Sequence, residues 1–317
     1  MNLLTRLIKR IDNFQRRHII PSFIYAVIKK YNQDNGGYQC AIITYYGFLA
    51  LFPLLMILTT VSDLLLKNNS VLRKKIINNT IHYFPIIGNQ LQNSIHSSTE
   101  TGIVLIISLL ITFYGSRGVA STFSYSLNTL WYTPLFKQAS FLKNTIRNFS
   151  IIVIGGISLL LGPIVIGYMT IMGSNIFIKI IIVLLNLLLL WLTIIILFKL
   201  AIAGHKRIHQ VIIGAAVTAV SLEVLQVLGS VVMVHELKQL SSIYGTFSLV
   251  VGLLFWIYLQ VKIILFAVEI DVIREYHLFP RSLSGSLTTA DRMVFIKQTK
   301  ANEQNLSDRI IVKFKRR

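Results

Sequence analysis

The chain has 317 residues, of which 54% are hydrophobic and 14% are charged, whereas an ordinary soluble domain has about 25% charged residues. The net charge of +19 could indicate a nucleic-acid partner, but most basic residues lie outside long apolar runs, where a bilayer explains them better. Composition therefore argues against a soluble enzyme, and we expect no nucleic-acid partner. The single cysteine, Cys40, excludes an intramolecular disulfide.

The N-terminal segment, residues 1–41, is polar and basic and shows no cleavable signal peptide. Within it, residues 3–17 have apolar side chains at three- and four-residue steps with basic side chains among them, which predicts an amphipathic helix. Such a helix either lies in the membrane surface, with its basic side toward anionic headgroups, or packs on the cytoplasmic face of the protein.

Six apolar runs follow, each long enough for the roughly 20 helical residues that cross a bilayer. We predict an all-α membrane protein with six transmembrane helices in a domain of residues 42–275. The predicted helices cover residues 42–66, 101–123, 149–172, 177–200, 211–234 and 244–270. Residues 67–100 predict two short amphipathic helices that are separated by Pro85. The basic tail, residues 276–317, has little apolar periodicity and is predicted to be largely disordered.

The basic residues are distributed unevenly between the two sides of this six-helix arrangement. Of the 31 Lys and Arg residues, 23 fall on the side of the two chain ends and six on the opposite side. The positive-inside rule therefore places both termini in the cytoplasm. We expect the basic segments to bind anionic lipid headgroups, and the oligomeric state stays open.

Glu223 is the sharpest candidate for a functional residue, because it lies in the middle of the fifth predicted helix, where an ionised group is costly. Small and polar residues share one helix face with Glu223. This face either lines a polar path or packs tightly against another helix, with the Glu223 carboxyl group protonated or paired. Lys262 in the sixth helix is the candidate partner, unless its ammonium group extends to the interface. The residues of this face are Ala215, Ala219, Glu223, Gln226 and Ser230.

Two other groups of polar residues accompany these helices. Tyr258, Lys262 and Glu269 share one face of the sixth helix. Arg117 stands in a Gly-Ser-Arg-Gly sequence near the inner end of the second helix, where small neighbours let another helix or a lipid phosphate approach its guanidinium group. The seven histidines are scattered, and no metalloprotease, nucleophile-elbow or phosphate-loop motif is present. We therefore predict no catalytic residue, no metal and no cofactor.

Several short sequences resemble, in order, the signature blocks of the YihY/BrkB family of bacterial inner-membrane proteins. The resemblance covers about residues 25–275 and implies six transmembrane helices and a multi-pass location in a bacterial plasma membrane. It also implies an old family label, ribonuclease BN, which the lack of clustered metal ligands argues against. The matching sequences are YYGFLALFP at 45–53, GSRG at 115–118, LNTLW at 127–131, SIYGT at 242–246, WIYL at 256–259, and Glu269.

The sequence thus leaves two functions open. The first is a transporter or lipid flippase, which the family is suspected to be, with a polar path lined by the second, fifth and sixth helices. The alternative is a non-transporting membrane scaffold or envelope-integrity factor, in which the same polar residues only pack. The candidate path residues are Arg117, Asn128, Glu223, Gln226, Tyr258, Lys262 and Glu269.

Overall fold

The computed structural model describes residues 3–65, 102–134, 141–169, 176–204, 206–244, 246–283 and 287–309. Within these ranges the regular structure is entirely α-helical, as predicted. The helices are α1 (Leu3–Arg17), α2 (Ile19–Gln33), α3 (Gly36–Leu65), α4 (Gly102–Leu130), α5 (Phe141–Met169), α6 (Ile176–Ala201), α7 (Ile208–Tyr244), α8 (Thr246–Tyr276) and α9 (Thr289–Arg309).

The six apolar runs overlap α3 to α8, since a long apolar run satisfies its backbone hydrogen bonds internally by forming a helix. Among the described residues, three stretches are long and apolar enough to cross a membrane: Ile180–Ala201, Ile208–Gly229 and Val250–Tyr276. α6 has the most apolar of the three stretches, and only 17% of it is buried in the protein. The amphipathic helices predicted over residues 67–100 lie outside the described residues.

Among the residues whose burial is described, a core lies where α2 and the C-terminal half of α8 meet the ends of α4 and α6. Leu130, Phe198 and Leu265 are each at most 1% exposed there. α7 enters this core at its start, through Val211 and Ala215. Within the described part of the chain, this core therefore surrounds several of the polar residues discussed below.

Two glycines allow the backbones of neighbouring helices to approach each other closely. A Cβ atom on Gly115 of α4 would lie 3.1 Å from the Cα atom of Ala50 in α3, so a larger residue would push these backbones apart. Gly214 of α7 faces the backbone of Ala267 and the carboxyl group of Asp271 in α8, and its N–H donates to Asp271 over 2.8 Å. Small residues at these contacts are typical of helices packed within a membrane.

The described part of the C-terminal tail is folded, which corrects the prediction of disorder. α9 begins beside Asp291, whose carboxyl group accepts hydrogen bonds from Lys29 of α2 (2.9 Å) and from Arg281 (3.0 Å). Burial alone would raise the pKa of Asp291, but the bonds from Lys29, Ser282 and Thr288 outweigh burial and hold this pKa well below its usual value. The tail is thus docked by polar contacts, which an apolar periodicity cannot reveal.

The predicted N-terminal helix is α1, and its polar side faces the protein. Asp12 and Gln15 are buried, and Gln15 donates to the backbone oxygen of Arg281 over 2.6 Å. Ile11 and Phe14 are 55% and 60% exposed on the other side. α1 therefore packs on the protein through polar contacts and leaves apolar side chains facing outward.

Candidate functional site

A fully buried ionic cluster joins α2 to α8. The ammonium group of Lys30 lies 2.6 Å from Glu269 and 2.5 Å from Asp34, and both Lys30 and Glu269 are 0% exposed. Asp34 is four residues after Lys30, so the end of α2 places both side chains on one face. We call Lys30, Asp34 and Glu269 the Lys30 cluster.

Neutral groups complete the surroundings of the Lys30 cluster. Lys30 also donates to the backbone oxygen of Leu130 at the end of α4, and the Tyr132 ring lies 4.8 Å from its nitrogen. Gln298 of α9 donates to Asp34 over 3.3 Å. Burial alone would lower the pKa of Lys30, but the carboxyl groups of Glu269 and Asp34 together outweigh burial and raise it. Lys30 is therefore held as a cation, and the Lys30 cluster connects α2, α4, α8 and α9.

Glu269 was a candidate from sequence, whereas its partners Lys30 and Asp34 were not. The only local signal was the four-residue spacing of Lys30 and Asp34, which is common on solvated helices. Glu269 follows 239 residues after Lys30, so their contact depends on tertiary packing. The position of Glu269 within a predicted membrane helix, where an acid is costly unless it is paired, is the signal from which a partner could have been inferred.

A cavity of ≈ 340 Å³ lies between α7 and α8 and contains Lys262. Apart from Lys262 and Ser221, the described residues that line it are apolar. The Lys262 ammonium group lies 5.8 Å from the centre of the Tyr258 ring on the same face of α8, and the described residues offer it no ion pair. The α7–α8 cavity is therefore an apolar groove with one cation, lined by two of the three helices predicted to form a path.

Glu223 does not face this cavity. Ser221 and Leu225 both line it, so Glu223, which stands between them on α7, points to another side of the helix. The described partner of Glu223 is Asn186 of α6, whose amide group donates to the carboxyl group over 3.4 Å. Glu223 is half-buried there, and Gln226, one turn further on, is half-buried as well. The pairing of Glu223 with Lys262, which the sequence left open, is thus absent from the described residues.

Asn128 is fully buried and fastens α4 to the end of α6. Its amide nitrogen donates to the backbone oxygens of Ser124 (2.6 Å) and Ala201 (3.0 Å). Its amide oxygen accepts the backbone N–H of Ala203 over 2.7 Å. The side chain of Asn128 is therefore engaged with the backbone just where α6 ends.

Arg117 is exposed on α4 and lines a cavity of ≈ 210 Å³ beside α5. None of the described residues that line this cavity belongs to α7 or α8. The seven candidate residues consequently do not meet in one path: Tyr258 and Lys262 are together, Glu223 and Gln226 are together, and Arg117, Asn128 and Glu269 are each elsewhere. Within the described ranges, no group of three His, Cys, Asp or Glu residues could hold a metal ion.

Comparison with known proteins gives one match. A family model described as Virulence factor BrkB matches residues 27–289. No curated protein and no solved structure matches the chain. The matched region begins shortly before Lys30 and ends at the start of α9, so it includes both the Lys30 cluster and the α7–α8 cavity.

Proposed function

The chain belongs to the virulence factor BrkB (YihY) family, and from this premise we propose that it is a transporter or lipid flippase for an anionic amphiphile. The family and the apolar helices together indicate an integral membrane protein. We propose six membrane crossings, with α3 to α8 as the crossing helices, in a bacterial plasma membrane. The proposed activity is the movement of a molecule and involves no catalytic step.

The α7–α8 cavity is the observation that carries this proposal. An amphiphile needs an apolar surface for its chain and an opposite charge for its headgroup, and this cavity offers both through its apolar lining and Lys262. A cation in an apolar groove is costly unless it is paired, and no carboxylate of the described residues pairs with Lys262. An anionic headgroup would supply the missing charge.

A scaffold function is supported by a different observation. Glu223 meets Asn186 across the contact of α6 with α7, as expected of a polar seam that only holds two helices together. In a scaffold, Lys262 would direct its ammonium group to the membrane surface and bind nothing specific. The two functions therefore differ in whether Lys262 is needed for the movement of a lipid.

We expect Lys262→Met to slow translocation, because it removes a charge-assisted contact worth about 1.5–3 kcal/mol, or about ten- to a hundredfold in rate. The measurement uses purified protein in vesicles that contain fluorescent phosphatidylglycerol, with a membrane-impermeant quencher added to report the lipid that has crossed. Lys199→Met is the matched control, since Lys199 is an exposed lysine on α6. Equal rates for the two variants, or no translocation by the unmodified protein, would favour the scaffold.

We also propose that both chain ends lie in the cytoplasm, with the outward apolar side of α1 against anionic lipid. The charge asymmetry supports this orientation, and Arg10 and Arg17 lie beside Ile11 and Phe14 on α1. Reporter proteins fused before α1 and after α9 should both report the cytoplasm, and a reporter inserted within residues 67–100 should report the opposite side. A reporter at either chain end that reports the outside would contradict this orientation.

A further inference from the structure

The cavity between α4 and α5 combines a cation with a buried polar group. Arg117 of α4 and Asn148 of α5 both line it, together with apolar residues of α5. The Arg117 side chain is exposed, whereas Asn148 is only 6% exposed. We call this space, with Arg117 and Asn148, the α4–α5 cavity.

Asn148 has an unfilled hydrogen-bonding position. Its amide oxygen is buried and has no hydrogen-bond partner among the described residues. A buried acceptor without a partner is costly, and water or another bound molecule usually satisfies such a group. The missing partner must be a donor, such as a hydroxyl group. Arg117 has no ion pair within the described part of the chain, so the same molecule can offer it an anion.

An apolar surface continues from the α4–α5 cavity along α5. Ile146, Phe149, Val153 and Ile157 recur at three- and four-residue steps, and each is between 39% and 60% exposed. Ile146 and Phe149 belong to the cavity lining. A ligand with its polar end between Arg117 and Asn148 would therefore have its apolar part directed along α5.

We propose that Arg117 and Asn148 form a binding site for the headgroup of an anionic, hydroxyl-bearing glycerophospholipid, whose acyl chain lies along α5. The Arg117 guanidinium binds the phosphate through paired N–H groups, and Asn148 accepts a hydrogen bond from a headgroup hydroxyl. The apolar surface favours a lipid over free phosphate. This site is separate from the α7–α8 cavity, and lipid binding here does not depend on transport.

The test measures binding of phosphatidylglycerol to the full-length protein in detergent by native mass spectrometry, with phosphatidylcholine and inorganic phosphate as comparison ligands. We expect Arg117→Gln to weaken phosphatidylglycerol binding about tenfold or more, as loss of a charged hydrogen bond implies. Asn148→Leu should weaken it about threefold or more, since a neutral hydrogen bond is worth less. Lys199→Gln, the control at an exposed lysine of α6, should bind as the unmodified protein does.

Phosphatidylcholine should bind more weakly than phosphatidylglycerol, and millimolar phosphate should not displace the lipid. Phosphatidylglycerol binding that is unchanged in Arg117→Gln would overturn the proposal, as would displacement by free phosphate, which would identify a simple anion site. Where Arg117→Gln does not fold, Arg117→Lys keeps the charge but loses the paired N–H geometry, and it should still bind the lipid more weakly. Binding by Arg117→Lys equal to that of the unmodified protein would then count against the site.

Discussion

Lys30→Met should lower the free energy of unfolding by about 3–5 kcal/mol, which is the usual cost of removing one partner from a buried ion pair. The substitution retains much of the side-chain volume, so the loss would come from the charge. Two buried carboxyl groups, Asp34 and Glu269, would be left without their shared cation. The measurement is the midpoint of chemical unfolding in detergent, with membrane abundance determined in parallel.

The neighbouring lysine provides a matched control for Lys30. Lys29 is 24% exposed at its side chain, and its partner Asp291 keeps further bonds from Arg281 and Thr288. Lys29→Met should therefore cost about 1 kcal/mol or less. Combining Lys30→Met with Glu269→Gln should be milder than Lys30→Met alone, because two charges leave together. A double variant as unstable as the sum of its single variants would show that Lys30 and Glu269 do not interact.

Asn128→Leu should lower the free energy of unfolding by about 2–6 kcal/mol, because two buried backbone groups would each lose a partner worth about 1–3 kcal/mol. These groups are the oxygen of Ala201 and the N–H of Ala203. Leucine has a similar volume, so the comparison isolates the hydrogen bonds. Chemical unfolding in detergent measures the effect. A loss of stability would indicate that Asn128 has a structural role, as distinct from a role in the transport path.

Thr129→Val is the control for Asn128, since the Thr129 hydroxyl only donates within its own helix, to the backbone oxygen of Tyr125. We expect this variant to unfold within about 0.5 kcal/mol of the unmodified protein, as surface substitutions usually do. An Asn128→Leu protein of normal stability that no longer moves lipid would contradict the structural role and support a place in the path.

The apolar runs were sufficient to predict the helices, because a bilayer requires long uncharged stretches. α6 begins and ends within one residue of its prediction, and its start follows the polar pair Ser174 and Asn175 in the sequence. α5 begins eight residues before its predicted start, because Lys143 and Arg147 interrupt the apolar pattern without interrupting the helix. An apolar run therefore predicts the apolar part of a helix more accurately than it predicts where the helix begins and ends.

The site was harder to predict, because the partners of its polar residues are distant in sequence. Residue spacing placed Tyr258 and Lys262 on one face, and the structure shows them on one face of α8. The same reasoning considered Lys262 as a partner of Glu223, whereas the structure places Asn186 there. Spacing determines which residues share a helix face, but only packing determines which neighbouring helix that face meets.

Two buried polar contacts join residues that a ribosome makes at very different times. Asp12 accepts a hydrogen bond from the backbone of Leu283, and Lys30 meets Glu269, so groups made early need partners that are made much later. Until α8 and the following residues emerge, Lys30 has only Asp34 as an ionic partner from the Lys30 cluster, and α2 cannot be buried at its final place. The contacts of α1 and α2 with these later residues therefore form only after α8 and the segment that follows it have been made.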